Sequence, residues 1–325
     1  MSKKTVLSNV EIHMSIALKD RYIGSLLGLA CGDAIGTSVE FSVRGSFSPL
    51  TDMIGGGPFD LPPGKWTDDT SMALCLAESL LHCNGFDARD QITRYCNWWQ
   101  WGYLSSKDEC FDIGITVSQA LSKFLATGEP YSGAIDPMTA GNGSLMRLAP
   151  IVLFYYPRMD EVNIFCGDSS RTTHGAPEAI ECCKLFGRIL AEAFSGKSKD
   201  ELILINDISI HEPKVAAIAN GSYLAKGNEE IRKSGYVVES LEAALWCFHN
   251  NDSFASTVLA AANLGDDADT TAAIAGQIAG AYYGCSSIPH DWLKKLYMRE
   301  KIQDYAERLY EAAGSPVIPL DVVSK

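Results

Sequence analysis

Two short stretches of this chain carry the residues best suited to chemistry. Residues 263–284 read NLGDDADTTAAIAGQIAGAYYG, with Asp266, Asp267 and Asp269 crowded at the start of an apolar run and followed by Thr270 and Thr271. Residues 64–70 read GKWTDDT and set Thr67, Asp68, Asp69 and Thr70 on the first turn of a second helical pattern that runs to residue 81. One aspartate at a helix start is explained by capping, because it accepts backbone N–H bonds and suits the positive end of the dipole. Several are not: clustered carboxylates repel one another and are costly to remove from water. A positive group must compensate them. Carboxylate and hydroxyl oxygens are hard ligands that suit Mg²⁺ or Mn²⁺ rather than zinc. Aspartates from two helix starts suit a pair of such ions sharing a carboxylate, which polarises oxygens, lowers the pKa of a bound water or grips vicinal hydroxyls. Phosphoester and glycosidic hydrolysis both fit, and spacing alone does not choose between them.

The elements that hold these clusters lie far apart in the chain and must be brought together. Gly276, Gly280 and Gly284 recur every four residues behind the late cluster, and Gly24, Gly28 and Gly32 do the same in the helical pattern 22–33. Residues four apart share a helix face, so each stripe admits a close neighbour. Pairing the two stripes is the expected way to gather the acids. Further helical patterns cover 67–81, 87–101, 111–126, 141–153, 177–194, 239–250, 253–263, 291–296 and 302–313. No run of β-branched alternation with hairpin turns occurs. The expected fold is all-α, a compact single-domain orthogonal helical bundle over 16–325 behind a loose arm at 1–15. The Gly- and Pro-rich end of residues 41–64 fits either a flexible flap or a plain surface connection. Trp98, Trp99 and Trp101 read as core.

Composition narrows the function classes. With 325 residues, 46% of them apolar and 21% charged, the chain is an ordinary soluble globular protein. Its net charge of −13, from 27 basic and 40 acidic residues, argues against nucleic acid or an anionic membrane as main partner. A small anionic substrate still fits where metal ions supply local positive charge. Ten cysteines without a C-x-x-C pair read as reduced thiols in a reducing compartment. Six histidines without H-E-x-x-H argue against zinc. The N-terminus has no apolar run of the signal-peptide kind, and residues 148–156 are too few to span a bilayer. The expected location is the cytoplasm and the expected state a monomer.

The motifs taken together choose among the chemistries. Gly-Asp-Ala-Ile-Gly at 32–36 with Glu40, Trp-Thr-Asp-Asp-Thr at 66–70, Phe-Asp-Ile-Gly at 111–114, Gly-Asn-Gly-Ser-Leu-Met-Arg at 141–147, Thr-His-Gly at 173–175 and Gly-Asp-Asp-Ala-Asp-Thr-Thr at 265–271 stand in that order. This set resembles the ADP-ribosylglycohydrolase family over residues 21–284. The resemblance implies a dinuclear Mg²⁺ or Mn²⁺ site and hydrolysis of the C1″–N bond between ADP-ribose and an acceptor, protein arginine first. It implies Thr67, Asp68 and Asp69 as one ligand group and Asp267, Asp269 and Thr270 as the other. Asp266 stands where relatives often have glycine and is left out. Glu40 matches an acidic residue beside the metals. Asp112 matches the aspartate near the guanidinium in arginine-directed relatives. Asn142, Gly143 and Ser144 match a loop near the ADP-ribose phosphates, and His174 a substrate-side histidine. The expected partner is therefore an ADP-ribosylated protein. The rival readings are another acceptor (serine, a nucleic-acid end or a small conjugate), a non-catalytic ADP-ribose-binding member, and a metal phosphoesterase.

Overall fold

The computed structural model describes residues 16–205 and 207–314; the arm expected at 1–15 lies outside them. Among the described residues there are thirteen α-helices and no strand. In order they are α1 (Leu18–Gly36), α2 (Asp68–Cys83), α3 (Ala88–Trp101), α4 (Ile115–Thr127), α5 (Ala149–Tyr155), α6 (Met159–Arg171), α7 (Pro177–Phe194), α8 (Pro213–Ala219), α9 (Val237–His249), α10 (Phe254–Ala262), α11 (Ala268–Tyr283), α12 (His290–Lys295) and α13 (Arg299–Ala313). The expected all-α class is the observed one.

The pairing of α1 with α11 positions the site. A Cβ built on Gly24, Gly28, Gly32 or Gly36 would fall within 2.5 Å of the carbonyl oxygen of Gly280, Gly276, Ala272 or Ala268 respectively. The partner numbers fall as the glycine numbers rise, so the helices run antiparallel with their backbones in contact. Only residues without side chains on that stripe permit such an approach. The C-terminal end of α1 thereby lies against the N-terminal end of α11. The stretch Leu18–Val39 is the one among the described residues long and apolar enough to cross a membrane, and 94% of its apolar window is buried inside the fold. It is a core helix.

Several local expectations are corrected. The helix expected over 141–153 begins only at Ala149; the carbonyl of Asn142 accepts from both Leu145 and Met146 and closes a turn instead. The helix expected from residue 111 begins at Ile115, because Asp112 sits at φ +58°. Helix α6 was not expected, since Gly167, Asp168, Ser169 and Ser170 interrupt its apolar periodicity. Residues 41–64 form a pinned connection rather than a flap. The Asn263 side chain bonds both the N–H and the carbonyl of Leu50, at 2.7 and 3.0 Å. Asp52 pairs with Lys295 at 2.6 Å and accepts from the Trp292 indole at 2.8 Å. Of the tryptophan cluster, Trp98 is core, Trp99 half-buried and Trp101 exposed.

Candidate active site

Asp33, at the end of α1, was not singled out by sequence reasoning, yet it organises the site. Its carboxylate accepts from Thr67 N–H (2.8 Å), Thr67 Oγ1 (2.9 Å), Thr70 N–H (3.0 Å) and Thr70 Oγ1 (2.6 Å). It thus caps α2 from a different helix, a task that local rules assign to Thr67 itself, whose side chain caps nothing. The signal available in sequence was the polar residue inside the small-residue motif 32–36. Thr67 Oγ1 also lies 3.3 Å from Asp269 Oδ2, and Thr70 follows Asp69, so this capping links the first turns of α2 and α11.

Two carboxylate trios result. Oxygens of Asp33, Asp69 and Asp269 lie within 4.8 Å of one another, and so do oxygens of Glu40, Asp112 and Asp269. Asp269 belongs to both. Thr270 Oγ1 donates to Asp69 Oδ1 at 3.1 Å, while Asn142 donates to Asp267 Oδ2 at 2.6 Å and to Ser240 Oγ at 2.8 Å. Three carboxylate oxygens of these trios stay buried without a hydrogen-bond partner among the described residues: Asp69 Oδ2, Asp269 Oδ1 and Glu40 Oε2. Buried carboxylate oxygens are normally paired. Orphaned hard oxygens packed among like charges fit divalent cations.

Electrostatics agree. Burial first, and then neighbouring carboxylates, push Asp68, Asp69 and Asp269 well above the usual carboxylate range. Burial raises Asp33 to about 6 despite its four donors, and Asp112 to about 7. A carboxyl raised on folding stabilises the folded state fully below its unfolded pKa, about 4, and loses that contribution as pH rises through the folded value. In the metal-free protein stability should therefore fall as pH rises above about 4, the Asp33 and Asp112 contributions being lost through about pH 6 and 7 and those of Asp68, Asp69 and Asp269 at higher pH. Cations that bind the deprotonated oxygens should restore it. Thermal melts in EDTA and in excess Mg²⁺ check this: the Mg²⁺-induced rise in Tm is expected to be larger at pH 8 than at pH 5. A rise independent of pH would count against the carboxylates as the binding group.

The acids face a cavity of ≈ 830 Å³ lined by Glu40, Asp68, Asp112, Asp267, Asp269 and Thr270. The Gly141–Gly143 turn, Met146 and His174 also line it, with Asn142 in contact with Asp267 and Met146 with Thr270, and residues 113–117 and 233–235 form further walls. Residues 233–235 and 115–117 were not foreseen, because nothing in their local pattern marks them. His174 is buried, its Nδ1 2.9 Å from Thr173 Oγ1 and its ring against Gly141 and Gly143. A Cβ on Gly143 would meet His174 Cε1 at 2.8 Å, so the ring itself requires glycine there. Burial, then the Arg147 charge, lower His174 to about 3, so it is neutral at physiological pH. Ser144 is the expected residue that does not reach the cavity with its side chain: its hydroxyl accepts from Ser170 Oγ at 2.8 Å and Cys183 Sγ at 3.4 Å. The Asn142 side chain lines the cavity and donates to Asp267. The other expected residues, Glu40, Thr67, Asp68, Asp69, Asp112, Gly143, His174, Asp267, Asp269 and Thr270, line the cavity or the trios beneath it.

Comparison with known proteins bears on this geometry. A model of the ADP-ribosylglycohydrolase family matches residues 14–317. The chain is 44% identical over 294 residues to an ADP-ribosylarginine hydrolase Tri1 of Serratia proteamaculans, covering 90% of this chain and 80% of that one. It is 31% identical to the ADP-ribosyl-[dinitrogen reductase] glycohydrolase of Rhodospirillum rubrum, over 92% and 98% of the two chains. A solved structure described as an ADP-ribosylglycohydrolase-related protein complex superposes with a TM-score of 0.80 at 42% identity, covering 91% of this chain and 99% of that one.

Proposed function

This chain belongs to the ADP-ribosylglycohydrolase family and is a hydrolase, and from that premise we propose that it removes mono-ADP-ribose from protein arginine with the aid of two divalent ions, Mg²⁺ or Mn²⁺. The observation that carries the reading is the double trio: two sets of carboxylates share Asp269 at a cavity that a glycine turn also lines. The named relatives supply the substrate class. Asp33, Asp69 and Asp269 would hold one ion and Glu40, Asp112 and Asp269 the other, with Asp68, Asp267 and the Thr67 and Thr270 hydroxyls beside them. Such ions, when bound, supply a grip on ribose hydroxyls, an acidified water and compensation for charge.

The chain's own residues do the rest. Asp33 fixes the start of α2, and Asn142 fixes Asp267, so the ligand oxygens are set before substrate arrives. The turn at Gly141–Gly143 and His174 face the diphosphate. Asp112 and Glu40 lie together at the cavity wall, where a carboxyl can pass a proton to or from the reacting atoms. That proton serves the departing guanidine nitrogen when C1″–N breaks and water adds at C1″. An acid-rich lining that includes Glu40, Asp68, Asp112, Asp267 and Asp269, with its single lysine, Lys233, paired to Asp266 at 3.4 Å, suits a cationic guanidinium.

A protein acceptor fits the rim. Phe41 and Ile115 line the cavity yet are 67% and 75% exposed. We take the monomer as the working unit, since one chain supplies the whole cavity, and the cytoplasm as its location, since all ten cysteines are free. The test is release of ADP-ribose from an arginine-ADP-ribosylated protein with Mg²⁺, with Mn²⁺ and with EDTA. Release that requires metal is expected. Cleavage of serine-linked substrate alone would move the acceptor, and binding of ADP-ribose without any turnover would sink the hydrolytic reading.

A further inference from the structure

Arg147 is a fully buried guanidinium whose contacts are all neutral. It donates to the Gly143 carbonyl (2.9 Å), to Thr173 Oγ1 (2.7 Å), to Thr172 Oγ1 (3.5 Å) and to Met72 Sδ (3.8 Å), and it lies 4.5 Å from the Tyr95 ring centroid. A buried charge without an anionic partner is costly. What it holds accounts for the cost. The Gly143 carbonyl and the Ser144 N–H belong to one planar trans peptide, so gripping the carbonyl turns that N–H to the opposite side. The N–H groups of Gly143 and Ser144 have no acceptor among the described residues.

The second bond acts through Thr173. Arginine only donates, so Thr173 Oγ1 accepts from Nη2. The Thr173 hydroxyl proton then has one acceptor within reach among the described residues, His174 Nδ1 at 2.9 Å. A buried hydroxyl proton is not left unpaired. The imidazole is neutral, so its own proton must sit on Nε2, the nitrogen that lies against Gly141 and Gly143 at the cavity wall.

We propose that Arg147 is a positioning residue that, through Thr173, locks His174 as the Nε2–H tautomer, a neutral donor for the substrate's diphosphate, and, through the Gly143 carbonyl, fixes the adjoining Ser144 amide of the turn. The inference rests on the proposed ADP-ribosyl substrate for its ligand and on geometry alone for the tautomer. His174 is then a fixed hydrogen-bond donor and takes no part as a base. Neutral donors suit a diphosphate beside a carboxylate site, because the charge of Arg147 stays behind the wall and pairs with none of the acids.

The experiment uses the full chain with ¹⁵N-labelled histidine. Long-range ¹H–¹⁵N correlation at pH 7 is expected to show His174 neutral and protonated on Nε2. Thr173→Val, which keeps the shape and removes the relay, should lose the single tautomer and weaken ADP-ribose binding about tenfold, the worth of one buried hydrogen bond. Adenosine, which lacks the diphosphate, should bind both proteins within about twofold. Thr173→Ser restores the hydroxyl and should restore tautomer and affinity together; it also serves as the decisive pair with wild type if the valine variant does not fold. A wild-type ring protonated on Nδ1 or on both nitrogens would overturn the proposal, as would unchanged ADP-ribose affinity in folded Thr173→Val. Absence of ADP-ribose binding in the wild type would defeat the functional reading instead, while the tautomer would still decide the relay.

Discussion

Asp269→Asn is expected to fold normally and to lose turnover by about a thousandfold or more, the scale of several kcal/mol of lost charge stabilisation. Asp269 is the one carboxylate common to both trios, and its Oδ1 is buried without a hydrogen-bond partner among the described residues. Asparagine keeps the shape and the oxygen that Thr67 reaches, but it removes the charge. It also aims an amide at neighbours arranged to meet a cation. The same substitution relieves repulsion when no metal is present, because Asp267 and Asp112 press on Asp269 electrostatically. The metal-free variant should therefore melt at or above the wild-type temperature, while Mg²⁺ should raise its Tm less than it raises that of wild type. Calorimetry with and without Mg²⁺, beside a turnover assay, reads both effects. Wild-type turnover in Asp269→Asn with metal bound would refute its placement at the centre of the site.

Gly280→Ala is expected to be strongly destabilising for a single added methyl. Its Cβ would lie 1.9 Å from the Gly24 carbonyl oxygen, and the obstacle is backbone, which cannot rotate away. Overpacking of a tight contact costs about 1–3 kcal/mol and more where nothing yields. That exceeds the roughly 1 kcal/mol by which alanine favours a helix over glycine. At this size each kcal/mol lowers Tm by about 2–4 °C. Function should fall with stability, because parting α1 from α11 draws Asp33 away from Asp269. Gly227→Ala is the control: its φ is −79° and its nearest neighbour, Glu230 Oε2, stands 3.6 Å from the added carbon. Denaturant titration of both variants decides the matter, and a Gly280→Ala protein as stable as wild type would remove the stripe as the reason for the pairing.

The helices flanking both acid clusters were legible in sequence because their signals are local. Four-residue glycine spacing, apolar periodicity and the acids at two helix starts depend only on neighbours along the chain, and they led to α1, α2 and α11 and to their pairing. The motifs, taken in order, led to the family. Asn142 and Ser144 show where local signals end. Both belong to one motif expected near the substrate, and only the structure shows that Asn142 lines the cavity while holding Asp267 and that the Ser144 hydroxyl turns to Ser170 and Cys183. The turn at 142–147 decides which way each side chain points, and its partners lie on other helices.

Asp33 marks the same boundary. In sequence it is one polar residue in a small-residue motif, and nothing nearby shows that it caps a helix beginning 35 residues later at Asp68. Its role exists only because the glycine stripes bring α1 against α11 along their whole length, setting the end of one helix beside the start of the other. The sequence by itself determined which residue types are present, which helices carry them and which family they belong to. Tertiary structure alone decided which carboxylates share a centre, which hydroxyls serve them and which nitrogen of His174 faces the cavity. These are relations between atoms distant in the chain, fixed by packing and hydrogen bonding rather than by spacing.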